Sequence, residues 1–302
     1  MKKKNKLMVI LRKINTFLSV KGFFVFLSDE AFLKMRYRLS TGKKLDLSNP
    51  KTFNEKIQWL KIHNKNPEYT PMVDKVLVKE YVASVIGEEY VVPTIGVWDD
   101  PYDIDFDALP NQFVLKCNHD SGGNVICHNK ADLDTQNVLK KLRKTQKRSA
   151  YNSGREWPYK NVKRKILAET YLEDAQTQEL RDYKFFCFNG EAKLLFIASD
   201  RQTKGVETKF DFFDMNFVHL PIINGHPNSD EPPKKPENFA LMQELACKLS
   251  KGIPHVRVDF YEVNGKVYFG ELTFFHWGGF MPFEPEAWDE ILGGWIDLSL
   301  VK

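Results

Sequence analysis

Long apolar runs are missing from these 302 residues. No stretch reaches the ~20 apolar residues needed to cross a bilayer, so a membrane span is not expected. The opening MKKKNKLMVILRKINTFLSVKGFFVFLS has the outline of a secretion signal, but Arg12, Lys13 and Lys21 break it and no small-residue cleavage site follows. Two readings of it stand side by side: a basic amphipathic helix in peripheral contact with an anionic membrane, and a helix packed on the protein's own body. Cysteine is scarce. Cys117, Cys127, Cys187 and Cys247 lack paired spacing and read as reduced thiols of a cytoplasmic protein. Cys117, His119, Cys127 and His128 lie close together, yet their spacing matches no common zinc pattern. The net charge of +4 is small, and RNP, zinc-finger and helix-turn-helix signatures are absent, which argues against nucleic acid as a partner. There is no Gly-Lys-Ser/Thr phosphate loop, no Cys/His or Ser/His signature of a protein nucleophile, and no repeat or low-complexity tract.

Aromatic residues are plentiful, at 13% with 23 Phe, and the length allows one extended domain or two compact ones. The most informative stretch is His255 to Gly279, HVRVDFYEVNGKVYFGELTFFHWGG, which reads as two strands around Asn264-Gly265. Alternation puts Arg257, Asp259 and Tyr261 on one face of the first strand. With a two-residue turn, Val258 would sit opposite Glu271, and Asp259 and Glu271 would point to opposite faces. With a three-residue loop, Val263 to Gly265, Arg257 would oppose Glu271, and Arg257, Asp259, Glu271 and Thr273 would share a face. Two adjacent carboxylates need a cation between them, and oxygen-only ligands suit Mg²⁺ with phosphates. Arg257 would then steady a phosphate or a developing oxyanion.

Upstream, DLSNPKTFNEKIQWL predicts a helix capped by Thr52 with Glu55 three residues on, burying Ile57, Trp59 and Leu60. Val73 to Trp98 reads as a helix stopped near Gly87, then a strand from Tyr90 to Val92. The connector DDPYDIDFD holds Asp-x-Asp twice. FVLKCNHDSGGNVIC, Phe113 to Cys127, predicts a strand ending near Lys116, a polar Gly122-Gly123 loop and a second strand. Glycines let backbone N–H groups close over phosphate while the strand lysine adds charge. Lys140 to Lys165 carries eleven Lys or Arg and one acid, Glu156, read either as a solvated face or as a rim drawing in an anionic substrate. Ile166 to Leu172 is a strand, and DYKFFCFNGEAKLLFIASD a hairpin about Asn189-Gly190 with Asp182, Lys184, Phe186 and Phe188 on one face. Thr203 to Glu237 reads as loop, followed by a helix from Asn238 to Leu249 and a short closing helix within Glu284 to Val301.

Arg-Val-Asp-Phe, a hairpin, then Glu-Leu-Thr and a paired glycine resemble the metal-binding end of ATP-grasp ligases. The order of the other segments resembles the TupA-like branch, linked to bacterial surface-polysaccharide and teichuronopeptide synthesis. The resemblance implies an α+β (α/β) chain with the ATP-grasp fold, two α+β lobes clasping nucleotide after a helical amino-terminal region. The implied divisions are residues 1–65, helical; 66–110, a pre-ATP-grasp α/β segment; and 111–302, the nucleotide-binding and catalytic domain. It implies ATP and Mg²⁺ as cofactors, with Asp259, Glu271 and Thr273 at the metal; the family usually has Asn where Thr273 stands. Lys116 and Arg257 become catalytic. Lys116, Ser121, Gly122, Gly123, Asn124, Glu169, Tyr171, Leu172, Asp182 and Lys184 become nucleotide contacts, with Asp182 at ribose, Lys184 at phosphate and the backbone after Glu169 at adenine. Lys75 either approaches a phosphate or is a solvated helix lysine, and His276 either orients substrate or is packed. The implied reaction joins a small-molecule or lipid-linked saccharide carboxylate to an amine or amino acid through an acyl phosphate. Two other classes stand beside it. One is a glycosyltransferase of the same pathway using Asp103, Asp105 or Asp107, with Lys116 dispensable; the other is a nucleotide-binding protein without turnover.

Overall fold

The computed structural model describes residues 2–175, 180–201 and 205–301, with side chains from residue 11 onward. Residues 203 and 204, at the start of the stretch read as loop, lie outside it. Helix α1 (Lys2–Val20) turns into α2 (Asp29–Thr41), then α3 (Phe53–His63), α4 (Tyr69–Val73) and α5 (Val78–Ile86) follow. Thr52 and Glu55 form the expected reciprocal cap on α3. Among the described residues no helix is long and apolar enough to cross a membrane.

Two antiparallel sheets make the body. The smaller contains β1 (Thr94–Trp98), β2 (Phe113–Cys117), β3 (Val125–Cys127) and β4 (Ile166–Thr170), in the order β1-β4-β2-β3. The strand expected at Tyr90 to Val92 falls instead at β1. Pro93 has no N–H for a ladder, and its carbonyl accepts from the Thr170 N–H at 3.1 Å just before β1 begins. Helix α6 (Thr135–Gln146) covers this sheet, and Phe113, Leu115, Val138, Leu142 and Ile166 close a small core. A short helix α7 (Ala150–Gly154) follows.

The larger sheet runs β10-β9-β5-β6-β7-β8, built from β5 (Asp182–Phe188), β6 (Glu191–Ser199), β7 (Lys209–Phe213), β8 (His219–Leu220), β9 (Val256–Val263) and β10 (Lys266–Thr273). Every residue of β5 is buried, as befits an inner strand covered on both faces. One face packs against α8 (Phe239–Leu249) through Met242, Leu245 and Leu249, in the same core as Phe53 and Ile57 of α3. Helix α9 (Ala287–Trp295) closes the chain against α3. There the Asn54 amide N–H donates to Asp289 Oδ1 at 2.9 Å.

Candidate active site

The β9–β10 hairpin follows neither register expected from its turn. Its turn has two residues, Asn264 and Gly265 at φ 51° and 75°, so Phe269 pairs with Phe260. A β-bulge at Gly270 then shifts the register by one, and Glu271 faces Asp259 while Thr273 faces Arg257. The bulge, rather than a longer loop, brings the two carboxylates together. Gly270 fits because a Cβ there would stand 3.1 Å from the Asp259 carbonyl.

Arg257 ties this face into one network. Its Nε and Nη2 donate to the two Asp259 oxygens at 2.7 and 2.8 Å, and Nη2 also reaches Thr273 Oγ1 at 2.9 Å and Glu271 Oε1 at 3.3 Å. Asp259 is fully buried and takes a further short contact from Lys184. Burial works against the Arg257 charge, but Asp259 and Glu271 more than restore it, raising its pKa. For Lys184 burial wins, and its pKa falls despite Asp259. Arg257 Nη1 donates to His276 Nδ1 at 2.7 Å, so the His276 Nε2–H is left to donate to Asn224 Oδ1 at 2.8 Å. Burial, then Arg257, pushes the His276 pKa well below its usual value, and the ring is neutral. His276 thus orients Arg257 as well as packing.

Facing it, the smaller sheet holds Glu169 between two lysines. Lys116 Nζ lies 2.5 Å and Lys79 Nζ 2.6 Å from its oxygens, and burial of the carboxyl is outweighed by Lys116 and Lys79, which hold its pKa down. Lys75 donates to the Asp120 carbonyl at 2.9 Å and stands 3.8 Å from Glu271, so it bridges the two groups. One narrow pocket is lined by Lys75, Lys79, Lys116, Glu169 and Glu271. Beside it lies a slot of about 170 Å³ lined by Val92, Val114, Ile126, Tyr171, Leu172 and Tyr261. A third space, of about 400 Å³, opens on the far side of Glu271, where Arg36, Glu156, Arg257 and Trp277 line it.

The sequence model of TupA-like ATPgrasp proteins matches residues 55–297. The chain belongs to that family. The ATP-grasp fold expected from the sequence is therefore its fold. Among solved structures it is similar to a D-alanine–D-alanine ligase from Bacillus anthracis complexed with ATP, at 14% identity and TM-score 0.39, covering 67% of this chain and 53% of that one. It is also similar to the D-alanine–D-alanine ligase of Helicobacter pylori, at 12% identity and TM-score 0.41, covering 74% and 59%. A third is the ATP-grasp ligase PsnB complexed with minimal precursor, Mg and ADP, at 10% identity and TM-score 0.39, covering 73% and 57%. The chain thus spans little more than half of each. None of the curated proteins compared matches it.

In this TupA-like chain Lys116, Glu169, Tyr171, Leu172 and Asn124 meet around the slot, and Lys184, Arg257, Glu271, Thr273 and Ser121 around the larger space. Gly122 and Gly123 connect the two. Gly122 is left-handed at φ 79°, and a Cβ on Gly123 would lie 2.4 Å from Thr145 of α6, so only glycine lets the loop cross there. Glu169 was expected to serve through the backbone after it. Its side chain also positions two lysines, and of the backbone groups that follow it the Thr170 N–H is spent on Pro93. Asp182 lines none of the three spaces described above. It is 1% exposed beneath Lys184 and Arg201, which bind its carboxylate, so a ribose contact is not supported.

The connector aspartates are turn builders: Asp105 Oδ1 accepts from the Asp107 and Ala108 N–H groups at 3.0 and 3.3 Å. The basic segment spends part of its charge on that connector, Arg143 on Asp100 at 2.8 Å and Lys163 on Asp99 at 3.4 Å. Cys117 and Cys127 point at the carbonyls of Leu142 and Asn111, and His128 packs on Tyr171. Among the described residues no three metal-binding side chains of this kind converge. Sequence reading missed Lys79, Glu156, Arg36 and Tyr159, which carry no motif, and undervalued Lys75. It also missed that α3 reaches the site. Gln58 Nε2 donates to the Gly278 and Gly279 carbonyls at 2.9 and 2.7 Å, and buried Lys61 to Gly278 at 2.7 Å, which clamps the Trp277-Gly278-Gly279 turn.

Proposed function

We propose that the protein is an ATP-dependent carboxylate–amine ligase that works through an acyl phosphate. It joins an amino acid or other amine to a uronic acid or similar carboxylate, in cytoplasmic steps of bacterial capsule or teichuronopeptide synthesis. One observation carries the reading: a single pocket touches both the Lys116–Glu169–Lys79 group and Glu271, next to a slot that mixes apolar walls with Lys116 and Glu169 and to a wider space lined by Arg257.

Adenine fits between Val114 and Leu172, and the triphosphate would run past Lys116, Lys79 and Lys75 toward Arg257. Mg²⁺ suits the oxygen donors here. Among the described residues Glu271 Oε2 has only the long contact to Lys75, and its side chain is 34% exposed, whereas Asp259 is already saturated by Arg257 and Lys184. Glu271 is thus the readier ligand, Thr273 lies beside it, and Asp259 would join once Lys184 turns to phosphate. Bound there, the ion would supply Lewis-acid chemistry that neutralises charge on the phosphates.

A substrate carboxylate oxygen attacks the γ-phosphorus, the bond to the bridging oxygen breaks, and ADP leaves. Arg257, held flat by His276 and Asp259, steadies the charge spread over the transferring group. The amine then attacks the acyl carbon and phosphate departs. Glu156 lines the same space, its carboxylate with no hydrogen-bond partner among the described residues, and is placed to take the proton the amine must lose. The test is hydroxylamine trapping, with ATP, Mg²⁺ and a panel of uronic acids. Hydroxamate should form with at least one acid, and Asp259→Asn should abolish it while the protein stays folded. Full activity of that variant would refute Asp259's part, and transfer from a sugar nucleotide that Lys116→Met leaves intact would replace the ligase with a glycosyltransferase.

A further inference from the structure

Between residues 11 and 20, helix α1 exposes most of its apolar side chains. Its polar residues Asn15 and Ser19 are buried against the body, while Leu11, Ile14, Phe17 and Val20 stand exposed, and Phe23 and Phe26 in the turn to α2 extend the apolar surface. Phe17 is 62% and Phe26 73% exposed. Isolated apolar side chains on a surface need no explanation, but seven large ones exposed between Leu11 and Phe26, on one helix and the turn after it, need an occupant.

The patch is held firmly in place. Arg12 Nε donates to the Leu39 carbonyl at 2.7 Å, and buried Arg155 donates to the Phe24 carbonyl at 2.7 Å while pairing with Asp29 at 3.2 Å. Charge selects the occupant. No acidic residue precedes Asp29, whereas Arg12, Lys13 and Lys21 stand exposed among these apolar side chains, Lys21 Nζ lying 5.9 Å from the centre of the Phe17 ring, and the sequence before them carries Lys2, Lys3, Lys4 and Lys6. A second copy docking through the same face would bring these cations against their own mates.

We propose that this face docks on an anionic bilayer surface, with Phe17, Phe23 and Phe26 entering the headgroup boundary and the lysines meeting acidic lipid. Val20 belongs both to the patch and to the wall of a cavity of about 430 Å³ lined by Arg148, Ser149 and Glu156, so docking brings the cleft to the lipid surface. The ligase chemistry is not needed for this docking, and the test involves no nucleotide.

The experiment is co-sedimentation of the full chain with vesicles of phosphatidylcholine alone or with about 30% phosphatidylglycerol, at low salt and at about 0.5 M NaCl. Wild type should pellet with the acidic vesicles at least about tenfold more strongly than with the neutral ones, and high salt should weaken it. Phe17→Ser with Phe26→Ser should lose the binding, Arg12→Glu with Lys13→Glu should weaken it, and Ile291→Ser, at another exposed apolar position, should not. Thermal melting controls for folding. No binding to acidic vesicles, or equal binding by the double serine variant, would overturn the proposal. So would a dimer in solution that the serine variant dissociates, because a second copy would then cover the face.

Discussion

Glu271 is where charge balance is most finely set. Burial alone would raise its pKa, but Lys75, Lys184 and Arg257, with the Thr273 hydroxyl, outweigh it and bring it from 4.5 to about 2. A carboxyl whose pKa is lower folded than unfolded adds stability above the unfolded value, and that share is lost as pH falls through the folded one. Glu271→Gln is therefore expected to be less stable than wild type at neutral pH, with the gap closing between pH 4.5 and 2 in urea titrations. A gap that stays constant across that window would mean the cations around Glu271 do not stabilise its ionised form. The residue types here were legible in sequence, and with a three-residue loop Arg257, Asp259, Glu271 and Thr273 were expected on one face, whereas the two-residue turn that forms had been expected to separate Asp259 from Glu271. What put them there was not. A bulge at Gly270 costs nothing in pattern, so alternation alone could not separate it from a three-residue loop.

Helix α3 shows the same limit one level up. Its reciprocal cap by Thr52 and Glu55 and its buried face were readable, because capping and periodicity are local. Its clamp on Gly278 and Gly279 joins residues more than 200 positions apart, and no local signal marks Gln58 or Lys61 for it. Gly279 is left-handed at φ 66°, and a Cβ would lie 2.4 Å from Gln58 Nε2, so the turn and the helix are fitted to each other. Gln58→Ala would leave the Gly279 carbonyl without its donor and Gly278 with only Lys61. Urea unfolding should show a loss of about 2 to 3 kcal/mol. Because the turn leads from His276, turnover should fall further than Mg-ATP affinity. Nucleotide affinity falling as steeply as turnover would show that α3 supports the nucleotide lobe instead.

At the scale of the molecule, two sheets with separate cores face each other across a cleft, and each contributes one charged cluster to it. The sheet order was beyond sequence reading, because β1 joins the small sheet from across the connector and β9 enters the large one beside β5. Family order supplied the lobes and most of the residues proposed for the site. The central claim is that this cleft clasps Mg-ATP. The most direct measurement is the melting temperature of the wild-type protein and Lys116→Met with Mg-ATP, Mg-ADP, ATP without metal, and several UDP- and GDP-sugars. The account predicts that saturating Mg-ATP raises it by about 5 °C. The rise should need the metal and shrink in Lys116→Met, with no comparable effect of the sugar nucleotides. Stabilisation by a sugar nucleotide alone, or a Mg-ATP effect that Lys116→Met leaves unchanged, would contradict it.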